Sequence, residues 1–148
     1  WNRGTVMIDI NQINFDKLGG LIPACIQDSQ TLQVLMIGFM NRQALEITIQ
    51  TGKVTFWSRS RKALWVKGET SGHYLQLLEM DLDCDHDSVV LFVKPIGPTC
   101  HKGSSSCFGE PKSNFLYVIN KLMNIIEERL NNANPDSYIS GLFAQGIK

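Results

Sequence analysis

The sequence predicts an α+β domain of mostly antiparallel strands with short helices, followed by a C-terminal helical appendage. Three observations carry that expectation. Short apolar runs bounded by Gly, Pro and Asp turns occupy most of the chain up to Pro95, one capped helical segment interrupts them, and helical spacing takes over after Pro111. At 148 residues the chain is one domain long, or one domain with a short appendage, and can bury a core without disulfide staples.

Residues 1–14 show no clear period and are read as an N-terminal extension with no functional role; the domain proper is expected to span 15–110. After Gly19-Gly20, the segments Leu21–Gln27 and Leu32–Phe39 flank the polar turn Asp28-Ser29-Gln30, which reads as a β-hairpin with Pro23 near a strand start or edge. Asn41 is a good N-cap, and Ala44, Leu45, Thr48 and Ile49 at helical spacing before Gly52 predict a helix over about Arg42–Thr51. Lys53–Ser58, Tyr74–Leu82 and Ser88–Lys94 read as strands, which makes the aspartate run at 83–87 a connection. Pro95, Gly97 and Pro98 end the last of these, and Gly103 to Ser106 make a loop able to wrap an ion or ligand.

Phe115, Leu116, Val118, Ile119, Leu122, Ile125, Ile126 and Leu130 form an amphipathic helical pattern. Asn134-Pro135 breaks it, and Ser137–Phe143 reads as another short helical piece. Residues 111–148 are therefore read as a linker and the truncated start of a helical domain.

Charge excludes some function classes. With 14 basic and 14 acidic residues the net charge is zero, so no global field attracts nucleic acid or an anionic membrane. No apolar run approaches the roughly 18 residues of a membrane helix, and Trp1-Asn2-Arg3-Gly4 lacks the apolar core of a signal peptide, so a cytoplasmic location is expected. In that setting the four cysteines favour reduced metal ligands over two disulfides.

The chemistry concentrates between Asp83 and Cys107. Thiolates suit a zinc-type ion and closely spaced carboxylates suit a hard ion such as magnesium, so two centres are expected. Five acidic residues lie between Glu79 and Asp87. Strand alternation groups Asp83, Asp85 and Asp87 and turns Cys84 away. Alternate strand residues are roughly 6.6 Å apart against magnesium–oxygen bonds of about 2.1 Å, so the turn must curl. The bland reading is an acidic hairpin tip in water.

Cys100 and Cys107 can grip one ion with Cys84 as third ligand, which leaves the open position of a catalytic zinc. A strand over Val89 to Lys94 carries Cys100 roughly 20 Å from the aspartate turn, so a second copy supplies the thiolates more easily than the same chain. A homodimer sharing zinc between subunits follows. His101, beside Cys100, is the best general acid or base. His86 either ligates metal or sits exposed, His73 is surface or substrate rim, and Cys25 is core.

Trp57 to Gly72 holds four basic residues between Arg59 and Lys67, with serine and threonine hydroxyls and two tryptophans. Such groups bind phosphate oxygens and stack on bases; the alternative is a solvated basic loop with tryptophans in the core.

The segments Trp65 to Gly72, Asp83-Cys84-Asp85-His86-Asp87 and Gly97-Pro98-Thr99-Cys100-His101 through Cys107-Phe108, with Ser58-Arg59-Ser60 and Met40-Asn41, closely resemble phosphoribosyl-AMP cyclohydrolase. The resemblance covers about Phe15 to Glu110. It implies hydrolytic opening of the adenine N1–C6 bond of 1-(5-phosphoribosyl)-AMP in histidine biosynthesis, in an intertwined homodimer. It further implies Cys84, Cys100 and Cys107 as zinc ligands drawn from two subunits, Asp83, Asp85 and Asp87 as magnesium ligands, and His101 as catalytic. Arg59, Ser60, Lys67, Thr70 and Ser71 become candidates for the substrate's two phosphates. From Phe115 onward the chain resembles the start of phosphoribosyl-ATP pyrophosphohydrolase, whose activity is expected to be absent. Rival readings are a zinc-dependent nucleotide deaminase and a structural-zinc module binding nucleic acid, against which the neutral charge counts.

Overall fold

The computed structural model describes residues 8–109 and 115–131. Contacts divide the chain into two compact units, Trp1–Glu110 and Pro111–Lys148. In the first, two 3-10 turns, Ile10–Gln12 and Asp16–Leu18, precede strands β1 (Ile22–Asp28) and β2 (Val34–Met40), helix α1 (Arg42–Thr51), and strands β3 (Thr55–Ser58), β4 (Ala63–Val66), β5 (Leu75–Leu82) and β6 (Val89–Pro95).

The main sheet has the order β2-β1-β6-β5. Its outer pairs are antiparallel, but β1 and β6 run parallel from Ala24 opposite Val89 to Asp28 opposite Val93. The architecture is thus α+β with a mixed sheet that is mostly antiparallel. Strand propensity and alternation are the same in both orientations, so the parallel pair could not be read from pattern. Pro23 lies at the start of β1, just before this parallel ladder begins, where its missing N–H is not required.

Alternation builds the core. Ile22, Ala24 and Ile26 of β1 and Val89, Leu91 and Val93 of β6 face one side, where they pack with Leu35, Met40, Leu45, Val54, Phe56 and Leu75. Cys25 lies on the opposite face of β1 and is half-buried. The core starts before Phe15: Ile13 is buried, and the Asn14 N–H donates to His86 O at 2.7 Å. Residues 8–14 therefore pack on the domain, although their sequence shows no period.

The helix α1 forms where its sequence signals place it. Asn41 Oδ1 accepts from Ala44 N–H at 2.8 Å, and the Gly52 N–H closes the last turn on Thr48 O. Ala44, Leu45 and Thr48 face the core, and the buried Thr48 hydroxyl donates to Ala44 O and accepts from Thr55 N–H, tying the helix to β3.

One strand was not anticipated. The basic stretch from Trp57 is a β-hairpin, with β3 and β4 paired from Thr55 opposite Val66 to Ser58 opposite Ala63 and a tip at Arg59–Lys62. Charged residues at 59, 61 and 62 conceal it in the sequence, because a tight tip and a loop share the same composition.

In the second unit, Phe115–Asn131 forms helix α2, with Val118, Leu122, Met123 and Ile125 exposed. The segment 137–143 lies outside the described residues. No helix among the described residues is long and apolar enough to cross a membrane.

Replacing the cap should weaken the domain without altering its fold: Asn41→Ala is expected to cost about 1 kcal/mol. Urea unfolding followed by circular dichroism measures it, and an unchanged midpoint would show that the cap contributes nothing.

Candidate active site

Two chain segments at one end of β6 enclose a cleft of about 610 Å³. One is the turn from Lys67 to His73 that joins β4 to β5. The other is the loop after β6, from Pro98 to Cys107. Together they bring Lys67, Thr70, Ser71, Cys100, His101 and Cys107 to one cavity, with Trp65 and Met36 in its wall.

Backbone hydrogen bonds fix the thiol loop. Cys100 N–H donates to Ser104 O at 3.1 Å and Gly103 N–H to Cys100 O at 3.0 Å, which curls the chain around the first thiol. Ser106, fully buried, donates its hydroxyl to Val34 O at 2.8 Å and accepts from Phe108 N–H at 3.0 Å. Cys107 N–H then donates to Leu35 O at 2.8 Å. The second thiol is thereby held against the free edge of β2.

The two thiols interact. The Lys102 backbone amide, and then the Ser104 hydroxyl, pull the Cys100 thiol below its usual range. Partial burial, and then the neighbouring Cys100, push Cys107 up, while Lys67 acts the other way. Of the two, Cys100 is the one whose surroundings favour the thiolate and Cys107 the one whose surroundings favour the thiol. Lys67 is only 8 % exposed, and burial lowers its pKa against the attraction of Cys107 and Cys100. A buried ammonium beside two sulfurs is a local counter-charge for thiolate ligands. Two close soft donors fit a zinc-type ion, which would need at least one further donor.

Cys84 is not that donor within the same chain. It is exposed on the turn between β5 and β6, and among the described residues only Asp83, Asp85 and Asp87 gather as a three-residue ligand group. The thiol loop follows the other end of β6, seven residues away along the strand, or roughly 23 Å. His101 is exposed on the cleft wall, with Nδ1 4.0 Å from Cys100 Sγ.

The acidic turn curls, as its spacing demands. His86 takes a left-handed φ of 58°, and His86 N–H donates to Asp83 O at 3.3 Å. One oxygen from each of Asp83, Asp85 and Asp87 lies within 4.8 Å of the others. An all-oxygen set of that size suits a hard divalent ion. Asp83 also organises the turn, accepting from the Asp87 and Ser88 amides at 3.0 and 3.2 Å and from the Ser88 hydroxyl at 2.6 Å. Lys17 Nζ donates to Asp85 at 2.5 Å and to Asp87 at 2.8 Å, and its pKa is raised by those hydrogen bonds. No sequence signal marked Lys17, which lies 68 residues from Asp85 along the chain.

Arg59 and Ser60 sit apart from the cleft lining, at the exposed tip of the β3–β4 hairpin. The Arg59 guanidinium stacks 3.9 Å from the Phe39 ring centroid, and Ser60 Oγ lies 3.4 Å from Ser58 Oγ. Thr70 and Ser71 are exposed on the cleft rim, where Ser71 Oγ accepts from His73 N–H. Sequence reasoning missed Ser106, since nothing distinguishes it from its neighbours Ser104 and Ser105, and it missed the buried position of Thr99 in the cleft wall.

The turn makes the metal-free domain acid-sensitive. Hydrogen bonds, first from the Ser88 hydroxyl, hold the Asp83 carboxyl down at about 2. Its stabilisation is complete above the unfolded value of about 3.9 and is lost as pH falls toward the folded value. Asp83→Asn should therefore flatten the fall in urea midpoint between about pH 4 and pH 2. A wild-type slope retained in the variant would remove Asp83 as its source.

A family model described as phosphoribosyl-AMP cyclohydrolase matches residues 36–109, which include the cleft and the acidic turn. The chain is 49% identical over 140 residues to a histidine biosynthesis bifunctional protein of Vibrio vulnificus, covering 93% of this chain and 66% of that protein. It is 48% identical to the Shewanella oneidensis protein of the same description, covering 95% of this chain and 65% of that one. For the Bacteroides thetaiotaomicron protein the identity is 43%, over 92% of this chain and 67% of the relative. The chain thus spans about two thirds of the length of the curated relatives it matches. A match over the segment that builds the cleft, joined to identity across nearly the whole chain, makes this protein a member of the phosphoribosyl-AMP cyclohydrolase family.

Proposed function

We propose that the chain hydrolyses the N1–C6 bond of the adenine ring in 1-(5-phosphoribosyl)-AMP, as a step of histidine biosynthesis in the cytoplasm. Water oxygen adds at C6, the N1–C6 bond breaks, C6 keeps its amino nitrogen as a carboxamide, and N1 leaves with a proton. One observation carries this reading beyond family membership: the cleft joins two interacting thiols, a buried lysine and a histidine to a rim of hydroxyls.

Cys100 and Cys107 would hold zinc, with Cys84 of a second copy as third ligand. Zinc supplies Lewis-acid activation of water near neutral pH. Lys67 offsets the thiolate charge and keeps the pocket from becoming strongly anionic toward a phosphorylated substrate. Thr70 and Ser71 on the rim offer hydroxyls to a phosphate, with Arg59 and Ser60 at the hairpin tip as a more distant pair. His101 moves the proton from the attacking water to N1, and its exposure on the cleft wall leaves the imidazole open to a bound substrate. Asp83, Asp85 and Asp87 would hold magnesium.

The homodimer belongs to the same proposal. Its support is the length of β6, which separates Cys84 from the thiol pair, and the exposure of Cys84. Subunit mixing tests both function and sharing. Wild type should convert phosphoribosyl-AMP without releasing ammonia, while Cys84→Ala and Cys107→Ala are each inactive. Mixed after partial unfolding, the two variants should recover roughly a quarter of wild-type turnover, since half the dimers then carry one intact site. No recovery on mixing refutes shared sites; ammonia release points to a deaminase.

Lys17 sets the expected behaviour of the acidic turn. Its ammonium occupies the carboxylates that magnesium needs, so binding must displace it. Lys17→Met should bind Mg²⁺ several-fold more tightly by calorimetry, because the competing ammonium is gone. Unchanged or weaker binding would show that Lys17 does not compete.

A further inference from the structure

Two glycines make room for a cleft residue that the metal chemistry does not use, one for its side chain and one for its backbone. His73 is half-buried in the wall shared with Lys67, Cys100 and Cys107. Its backbone is held on both sides: His73 N–H donates to Ser71 Oγ at 3.2 Å, and Ile96 N–H donates to the Tyr74 carbonyl at 2.8 Å. The imidazole rests on Gly97, where a Cβ would lie 2.7 Å from ring Cδ2. Gly68 makes room for the His73 backbone, since a Cβ there would meet the His73 carbonyl at 2.4 Å. Both glycines also take positive φ, 83° and 91°, so a larger residue at either place would displace the imidazole or its backbone.

So precise a seat leaves the ring's polar atoms unused. Among the described residues neither ring nitrogen of His73 meets a hydrogen-bond partner. Thr99, which lines the same wall and is 3 % exposed, carries the one buried side-chain oxygen among the described residues that has no partner. A buried oxygen without a partner is costly unless a ligand completes it, and the half-buried imidazole of His73 stands in the same wall. A metal is not that ligand within one chain, because His73 joins no three-residue ligand group among the described residues.

We propose that His73 hydrogen-bonds the purine ring of a nucleotide bound in this cleft, and so determines base recognition. The inference rests on the cyclohydrolase reading, which puts C6 of the base beside the thiols. Phosphates are better met by the exposed hydroxyls and cations of the rim and hairpin tip. The base needs a fixed donor and acceptor close to the reacting carbon, with an aromatic face nearby, and Trp65 provides that face in the same cleft.

The test uses zinc-replete full chain as wild type, His73→Ala and His73→Asn, the last keeping one donor and one acceptor. Adenosine 5′-monophosphate is titrated by calorimetry, and phosphoribosyl-AMP turnover and zinc content are measured on the same samples. His73→Ala should bind the nucleotide about tenfold more weakly and show a matching rise in KM, with kcat within about threefold and zinc content unchanged. His73→Asn should recover most of the affinity. Equal nucleotide affinity in wild type and His73→Ala overturns the proposal, as does a wild type that binds no nucleotide. Loss of zinc in step with affinity in both variants also overturns it, because His73 would then be a prop for the thiol loop. A wild type that binds the nucleotide through His73 yet leaves phosphoribosyl-AMP intact removes the cyclohydrolase reading and leaves this contact standing.

Discussion

The central strand β6 is the constraint from which the rest of the site follows. It is buried along one face by Val89, Leu91 and Val93, and it pairs on both sides, parallel to β1 and antiparallel to β5. A strand fixed in that way acts as a rigid rod. The acidic turn enters it and the thiol loop leaves it, so the carboxylate cluster and the thiol pair stand at opposite ends of one element. Each set can be tuned by its own neighbours, Lys17 at one end and Lys67 at the other, without disturbing the other. The same separation keeps Cys84 away from the thiol pair within the chain.

The two lysines solve similar problems differently. Lys17 is exposed and makes two direct contacts with carboxylates, an arrangement that solvent screens and that a divalent ion can replace. Lys67 is buried, and burial works against its charge while the sulfurs favour it. A buried cation of this kind costs desolvation and is tolerated where it answers anionic ligands. Charge balance is therefore distributed along the chain, consistent with a sequence whose net charge is zero.

Local chemistry was legible in the sequence and long-range pairing was not. The cap at Asn41, the helix to Thr51 and the curl at Asp83–Asp87 follow from interactions spanning at most a few residues, and the structure forms them at the places their residues specify. The hairpin β3–β4 was hidden because arginines and serines at its tip look the same in a loop. The parallel pairing of β1 with β6 depends on which apolar strands meet, and alternation is silent on that. Lys17 was invisible because a lysine near a glycine pair carries no mark of its distant partners. His73 reads as rim in the sequence because its setting depends on Gly97, which meets its ring, and on Gly68, which meets its backbone, only in three dimensions.

The clamp formed by Ser106 has a consequence for solubility. β2 lies at the end of the main sheet, and its outer side presents the apolar Val34 and Ile37 beside backbone groups that could pair with another chain. The segment from Ser105 to Gly109 covers part of that side, through Ser106, Cys107 and the Gln33–Gly109 contact. The loop that presents the Cys107 thiol is thus also the guard of a strand edge. A change that freed the loop, such as loss of the Ser106 hydroxyl, would uncover that edge for strand addition, so the order of the thiol loop and the protection of the sheet edge are one property.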